Sequence, residues 1–137
     1  MKNSTDEKKR LRADALREID SLPEAYVESS DAGILANLTV LPEFISAGVI
    51  MFYYSVDREP DTRKAIESAL RQGKTVALPI SYGGGVMRAH ELTDPGLLTD
   101  GLHGIPAPPE SARLIDADEI DLVIVPAVNF DAQGYRL

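Results

Sequence analysis

A strand, a helix and a second strand follow one another within about thirty residues in the middle of the chain, and this pattern most constrains the fold. The apolar runs at 49–54 and 75–79 are short and rich in β-branched and aromatic residues, which is typical of buried strands. Between them, residues 62–72 have helical spacing of apolar side chains, and Gly73 follows where a helix can end. Such a unit joins parallel strands, so the sequence predicts an α/β fold with a mostly parallel sheet.

Two helices are predicted before this unit and one strand after it. The first helix covers about residues 4–22, with an apolar stripe formed by Leu11, Ala15 and Ile19, and the second covers about residues 24–41. Residues 81–109 are predicted to be irregular, with one candidate strand at 86–92. A further strand is predicted at 120–125. Since no helix follows it to cover the sheet, we expect the domain to be incomplete at its carboxyl end.

Composition indicates a globular protein and excludes several classes of function. A length of 137 residues with 44% hydrophobic content corresponds to a single domain, residues 1–137. The chain has no cysteine, and two histidines are too few for a three-histidine metal site. No apolar run reaches the length of a membrane-spanning helix, and the first residues do not resemble a signal peptide. We therefore expect a cytoplasmic location and no membrane partner.

The charge is negative overall but uneven along the chain. A net charge of −8 disfavours a nucleic-acid partner. Residues 1–20 nevertheless carry a net charge of +1, and four cations lie within five positions, at Lys8, Lys9, Arg10 and Arg12. Lys8 and Arg12 are four residues apart and share one helix face. Two interpretations are open: a binding site for an anionic ligand, or a charged face exposed to solvent.

The predicted sheet also indicates where a ligand would bind. In open α/β sheets, ligands bind outside the carboxyl ends of the strands. Segments 55–61, 80–85 and 126–134 follow predicted strand ends, so we expect them to converge on one site. The fold itself does not specify the chemistry of that site.

Several segments, taken in order, resemble one family, the 5-formyltetrahydrofolate cyclo-ligases (methenyltetrahydrofolate synthetases). K-K-R-L-R at 8–12 is similar to the family's opening K-x-x-L-R pattern, and E-P-D-T at 59–62 is similar to its E-V-D-T segment. G-K-T-V-A-L-P at 73–79 resembles its G-K-x-V-x-x-P segment, and G-I-P-A-P at 104–108 resembles its G-I-x-E-P turn. The segments D-L-V-I-V-P, F-D and G-Y-R-L between 121 and 137 resemble its D-L-x-x-x-P…F-D-x-x-G-x-R-L-G run. The ordered set, rather than any one segment, carries the resemblance.

This resemblance implies a three-layer α/β/α sandwich and a specific reaction. The family converts 5-formyltetrahydrofolate to 5,10-methenyltetrahydrofolate, with ATP going to ADP and phosphate and with Mg²⁺ required. The formyl oxygen attacks the terminal phosphate of ATP, and the anilino nitrogen then closes the ring and expels phosphate. Such a transfer depends on positioning and cations more than on a covalent nucleophile, so no catalytic residue is assigned.

The resemblance also implies candidate binding residues. Glu59 would bind the pterin edge of the folate, where a carboxylate can accept two N–H bonds, and Tyr54 would line the same pocket. An exposed loop acid and a core aromatic are the alternative interpretations of these two residues. No residue is assigned to a metal. The residues implied for ATP are Lys8, Lys9, Arg10, Leu11, Arg12, Arg136 and Leu137. The hypothesis requires Lys8 and Arg12 to share a cavity with Glu59.

Two departures from the family pattern bear on activity. Ala107 stands where many relatives have a carboxylate. In the family, a glycine-rich G-x-G-x-G-Y-Y-D-R segment follows the position of Leu137, with backbone N–H groups for phosphate and an aspartate for Mg²⁺. We therefore expect weak or absent turnover from these 137 residues alone. Two alternatives remain open: a non-catalytic folate-binding remnant without the phosphate loop, and a sugar-phosphate or coenzyme A enzyme with the same sheet.

Three other features are predicted to have no ligand. The glycines at 83–85 lack the lysine of a phosphate-binding loop and are predicted to form a flexible turn. His90 and His103 are predicted to be surface histidines. The acidic run at 116–121 does not have the spacing of a calcium loop and is predicted to be a solvated charged segment.

Overall fold

Helices make up most of the amino-terminal half of the computed structural model, which describes residues 4–137. The helices are α1 (Ser4–Ser21), α2 (Glu24–Thr39), α3 (Pro42–Ser46) and α4 (Arg63–Arg71). Pro23 separates α1 from α2 with an extended backbone, because proline cannot continue a helix. Pro42 begins α3, where a missing N–H costs no hydrogen bond. The three predicted helices are confirmed as α1, α2 and α4, with ends shifted by at most two residues.

Five strands form a mixed sheet, and two short strands form a separate pair. The strands are β1 (Val49–Met51), β2 (Thr75–Gly83), β3 (Val86–Leu92), β4 (Thr99–Asp100), β5 (Pro106–Ala107), β6 (Leu114–Ile115) and β7 (Leu122–Val123). The order in the sheet is β6-β3-β2-β1-β7, and β4 pairs with β5. β1 is parallel to β2 and β7, whereas β3 is antiparallel to β2 and β6. Only β3 therefore runs against the other four strands, which confirms the mostly parallel sheet.

The strand–helix–strand unit has the predicted arrangement. Val49 lies opposite Thr75 and Met51 opposite Ala77 in a parallel ladder, with α4 as the crossover. The chain reverses between β2 and β3 through three glycines with φ of 84°, 59° and 77°. Glycine adopts this left-handed backbone without a steric penalty, so the run at 83–85 forms a tight reversal, as the sequence predicted.

The core lies on the face of the sheet that α3 and α4 cover. Ile50, Val76, Leu78 and Leu92 point into it from the strands and are at most 1% exposed. The helical side chains buried against them are Phe44, Ala65, Ile66 and Ala69, with Leu35 and Leu38 of α2 partly buried around them. On the opposite face, Met87 and Val123 are about half exposed. None of the described helices is long and apolar enough to cross a membrane.

His90 is buried, so its predicted surface position is wrong. It lies opposite Leu78 in the antiparallel ladder and is 6% exposed. Side chains two residues apart on a strand share a face, so His90 points the same way as the core residue Leu92. Its Nδ1 lies 2.9 Å from the carbonyl oxygen of Ala112. His103 is exposed, as predicted, and has a left-handed backbone with φ 58°.

The acidic run at 116–121 has structural contacts as well as solvent exposure. Asp116 and Glu119 form a reciprocal capping box around a short 3₁₀ turn. The Asp121 carboxylate accepts hydrogen bonds from the backbone N–H groups of Val49 and Gly48, both at 2.9 Å. These two N–H donors lower the pKa of Asp121. The prediction of a merely solvated segment was incomplete, because these partners are distant in sequence.

Candidate functional site

An open cavity of about 810 Å³ lies where α1 meets the segments that follow β1 and β7. Its wall is formed by residues 56–60 after β1, residues 126–128 after β7, residues 136–137, and the α1 residues Arg12, Leu16, Ile19 and Asp20. Strand β1 and strand β7 are parallel neighbours, so their carboxyl ends meet at the same edge of the sheet. The cavity therefore lies at the edge where α/β proteins bind ligands.

Four of the residues predicted for the site line this cavity. Arg12, Glu59, Arg136 and Leu137 are all part of its wall. The predicted meeting of the cationic helix with the Glu59 segment thus occurs through Arg12. Leu11 lines an adjoining cavity of about 300 Å³ together with Arg136 and Leu137.

The other predicted residues lie outside that wall. Lys8, Lys9 and Arg10 are exposed on α1, and the cavity lining begins at Arg12. Tyr54 is partly buried and packs against the hydrophobic core, which agrees with its alternative interpretation as a core aromatic. The hypothesis requires both Lys8 and Arg12 to share a cavity with Glu59; Arg12 meets this requirement and Lys8 does not.

The segment at 80–85 does not converge on this cavity, so that expectation was wrong. β2 continues to Gly83, well beyond the end of β1, and carries the segment away before the chain reverses. Ser81 and Tyr82 line a separate cavity of about 260 Å³ beside β4 and β5. The site is consequently formed by two strand-end segments rather than three.

Paired hydrogen bonds fix the chain between β1 and α4. Thr62 Oγ1 donates to the carbonyl oxygen of Tyr53 at 2.8 Å and accepts from the backbone N–H of Ser55 at 3.1 Å. Ser55 Oγ accepts from the backbone N–H of Thr62 at 3.1 Å, and both side chains are buried. Buried polar groups have no water to bond to, so breaking these bonds would leave them without partners. The reciprocal bonds therefore hold the two ends of the segment together.

The Glu59 side chain is exposed, but a hydrogen bond restrains its orientation. Its Oε2 accepts a hydrogen bond from the backbone N–H of Val56 at 2.9 Å. Between them, Asp57 has a left-handed φ of 51°, a conformation that aspartate tolerates better than most residues. This tight turn holds the Glu59 carboxylate at the cavity wall.

Tyr53 stabilises the same turn through its hydroxyl group. Its hydroxyl donates to the carbonyl oxygen of Pro60 at 2.9 Å. Burial, followed by the negative charges of Glu59, Asp31 and Asp61, raises the pKa of Tyr53 to about 12. The phenol therefore stays protonated and remains a hydrogen-bond donor.

Asp61 is occupied by structural partners. Its Oδ1 accepts from the backbone N–H and the Nε of Arg63, at 3.0 and 2.9 Å. Burial opposes ionisation of Asp61, but these bonds and one from Ser55 outweigh it, so the pKa lies below its ordinary value. Asp61 consequently orders the start of α4 and does not line the cavity.

Arg58 is a lining residue that the sequence did not single out. Its Nε donates to the carbonyl oxygen of Ile19 at 3.1 Å, and its Nη2 donates to that of Leu22 at 2.7 Å. Its Nη1 lies 3.3 Å from Glu24 Oε2. The partners are 34 to 39 residues away in sequence, so no local pattern could have revealed them.

The carboxyl-terminal segment folds back on itself beside α1. Arg136 Nη1 donates to the carbonyl oxygen of Pro126 at 2.7 Å, and the backbone N–H of Leu137 donates to Asn129 at 2.8 Å. Asp131 Oδ1 accepts from the N–H groups of Gln133 and Tyr135, closing the turn. Arg136 is thereby held at the cavity wall.

The charged groups of the wall are three arginines and three carboxylates, which suits a polar ligand that has both anionic groups and N–H donors. Arg12, Arg58 and Arg136 line the cavity together with Asp20, Asp57 and Glu59. Guanidinium groups recognise phosphates through paired N–H donors, and a carboxylate can accept paired N–H groups from a heterocycle. Within residues 4–137, no cluster of three or more histidines, aspartates or glutamates could hold a metal ion.

The fold and the cavity together define an α/β protein with a small-molecule site at the carboxyl edge of its parallel strands. The family model of the 5-formyltetrahydrofolate cyclo-ligases matches residues 4–137, and the chain belongs to this family. The chain is 31% identical over 134 residues to the probable 5-formyltetrahydrofolate cyclo-ligase of Schizosaccharomyces pombe, a match that covers 95% of this chain and 66% of the relative.

Two solved structures support the fold. The solution structure of Aquifex aeolicus 5,10-methenyltetrahydrofolate synthetase superposes with a TM-score of 0.83 at 27% identity, covering 94% of this chain and 65% of that one. A Mycoplasma pneumoniae 5,10-methenyltetrahydrofolate synthetase is 16% identical with a TM-score of 0.72, covering 95% of this chain and 70% of that one, and is evidence for the fold alone. The predicted fold class is confirmed. The chain spans about two thirds of the length of the first two relatives.

Proposed function

We propose that the chain acts in the ATP-dependent cyclisation of 5-formyltetrahydrofolate to 5,10-methenyltetrahydrofolate, with ADP and phosphate as the other products. The observation that carries this proposal is the cavity of about 810 Å³ with Arg12 and Arg136 in its wall beside Glu59. That volume is within the usual range for small-molecule sites. Family membership supports the same reaction.

In this proposal, cations on two walls bind the nucleotide. Arg12 and Arg136 contact the ATP phosphates, and Lys8, Lys9 and Arg10 add positive potential along the exposed face of α1. Leu11 and Leu137 supply apolar contacts beside them, in the adjoining cavity that also includes Arg136. Positioned cations stabilise phosphoryl transfer because they neutralise charge on the phosphate oxygens.

In this proposal, Glu59 binds the folate from the segment that follows β1. The hydrogen bond from the Val56 N–H fixes one carboxylate oxygen, so the orientation of the group is set before the ligand arrives. The carboxylate accepts N–H bonds from the pterin ring. Tyr54 acts from the core side, where it supports the strand that precedes this segment.

The reaction then needs orientation more than a protein nucleophile. The formyl oxygen of the folate attacks the terminal phosphorus of ATP, and ADP leaves. The anilino nitrogen attacks the activated carbon and forms the new C–N bond. The C–O bond to phosphate then breaks, and the departing phosphate takes the proton that the anilino nitrogen loses. The side chains on the cavity wall hold the two substrates in line for these steps.

Magnesium fits this site only together with a nucleotide. The described residues contain no ready-made cluster of metal ligands. Mg²⁺ is usually held by one or two carboxylates plus substrate phosphates, and it neutralises phosphate charge when bound. Asp20 and Asp57 are carboxylates of the same wall and are the residues available to it.

The proposal is tested by titration calorimetry of the 137-residue chain with 5-formyltetrahydrofolate and with Mg-ATP. Glu59→Gln keeps an acceptor for Val56 but loses the charge, so folate affinity should fall about 10- to 100-fold while ATP affinity changes by less than about threefold. Glu67→Gln removes a matched exposed carboxylate on α4 and should leave both affinities unchanged.

Other outcomes separate the alternatives. Unchanged folate affinity in Glu59→Gln would contradict the role of Glu59. A wild-type chain that binds folate but not Mg-ATP would favour the non-catalytic folate-binding remnant. Absence of folate binding in the wild type would favour an enzyme of another class on the same sheet.

A further inference from the structure

Helix α1 carries Arg12 to the cavity, although hydrophobic burial does little to hold it there. None of its 18 residues is buried. Its last turn contains no basic residue. The last carbonyl groups of a helix have no partner within the helix and favour a nearby cation. The position of α1 must therefore depend on contacts supplied by another part of the chain.

Arg58 supplies such a contact from the segment that carries Glu59. Its guanidinium donates to the carbonyl oxygens of Ile19 and Leu22, and its third contact is the carboxylate of Glu24 at the start of α2. The side chain is 29% exposed, so these bonds are shielded from part of the solvent. A planar guanidinium can span several acceptors in a fixed geometry, whereas a lysine ammonium cannot.

We propose that Arg58 is a positioning residue, which fixes the end of α1 against the β1–α4 segment and thereby sets the separation of Arg12 from Glu59. This inference rests on the proposed function, because that separation determines how ATP and folate lie relative to each other. Arg58 acts through α1 rather than through the phosphates. Glu59 is its immediate neighbour, so one short segment orients the folate site and anchors the nucleotide helix.

The first test measures α1 without any ligand. Arg58→Ala should raise amide hydrogen exchange in α1 by about tenfold or more, because the helix end loses the guanidinium that joins it to the segment after β1. Arg113→Ala is the matched control, since that arginine also donates to two other residues, Glu91 and Glu119, and does not line the cavity. Unchanged exchange in α1 of Arg58→Ala would overturn the proposal.

The second test separates positioning from charge. Arg58→Ala and Arg58→Lys should both weaken Mg-ATP binding by about tenfold at a temperature where both variants are folded, because a loosened helix is no longer pre-organised. If Arg58 instead bound phosphate directly, Arg58→Lys would keep the charge and bind Mg-ATP clearly more tightly than Arg58→Ala, and amide exchange in α1 would stay at the wild-type rate in both variants. That result, or wild-type affinity in Arg58→Ala, would overturn the positioning role.

These measurements also distinguish this inference from the proposed function. A wild-type chain that binds no Mg-ATP would contradict the proposed function, and with it the role of Arg58 in orienting substrates. The exchange experiment would still decide whether Arg58 fixes α1 in the free protein. Faster α1 exchange with unchanged ligand affinity would show a purely structural contact and would contradict the proposal.

Discussion

Helices α1 and α4 both contact the segment of residues 55–61 that contains Glu59, but different interactions hold each helix in place. α4 has nine residues and buries Ala65, Ile66 and Ala69 in the core. α1 is twice as long, buries none of its residues, and contacts the segment through hydrogen bonds from Arg58. The comparison indicates that α4 belongs to the stable scaffold and α1 to the ligand-binding wall. Stability and binding should therefore respond to substitutions in different helices.

The largest expected effect is on the scaffold side. Ile66→Ala should lower the free energy of unfolding by about 2–5 kcal/mol, because Ile66 is 1% exposed and its removal leaves a cavity in the core. Leu16→Ala in α1 should cost less than about 1 kcal/mol, because Leu16 is 45% exposed. Urea denaturation measures both. Equal losses would show that α1 is as much a part of the core as α4.

The next effect is on the binding side. Arg12→Ala should weaken Mg-ATP binding about 10- to 100-fold, or about 1.4–2.7 kcal/mol, while the unfolding free energy changes by less than about 0.5 kcal/mol. Arg17→Ala, on the same helix but outside the cavity lining, is the control for general charge. Calorimetry and denaturation compare the variants. A similar loss in Arg17→Ala would mean that α1 attracts ATP only through its overall charge.

The smallest effect concerns the edge of the sheet. The Val49 and Gly48 N–H groups lower the pKa of Asp121 from 3.8, so its stabilisation is fully present above pH 3.8 and is lost as pH falls through the folded-state pKa. Asp121→Asn should therefore be less stable than wild type at pH 7, and the difference should shrink at pH below about 3.8. Denaturation at several pH values measures this. A constant difference would indicate that charge plays no part.

The two helices also show what local sequence can and cannot predict. The helical spacing at 62–72 predicts an inward face formed by Ile66, Ala69 and Leu70. Ile66 and Ala69 are buried and Leu70 is partly buried, because this helix packs against the core. The sequence predicted an apolar stripe of Leu11, Ala15 and Ile19 in α1. None of the three is buried, and Leu11 is 43% exposed. An apolar stripe shows that a helix contacts something. It does not show whether the contact is a closed core or the wall of an open cavity.

The residues of the site also fall into those that the sequence could predict and those that it could not. The ordered motifs singled out Arg12, Glu59 and Arg136, and all three line the cavity. Arg58 was missed because two of its partners are backbone carbonyls, which carry no residue identity in a sequence. The burial of His90 could have been predicted from the sequence, because His90 and Leu92 are two residues apart on one strand and therefore share a face. The uncertain assignment of that strand obscured the signal.

The half-buried phenol of Tyr53 has a consequence for how the molecule responds to pH. Because its pKa is raised to about 12, the phenol stays protonated at neutral and mildly alkaline pH and can donate its hydrogen bond to the Pro60 carbonyl oxygen there. The hydrogen bond from Tyr53 that supports the Glu59 turn should therefore not change in mild acid or alkali. Any sensitivity of ligand capture to the medium must come from the ligands themselves or from groups other than this tyrosine.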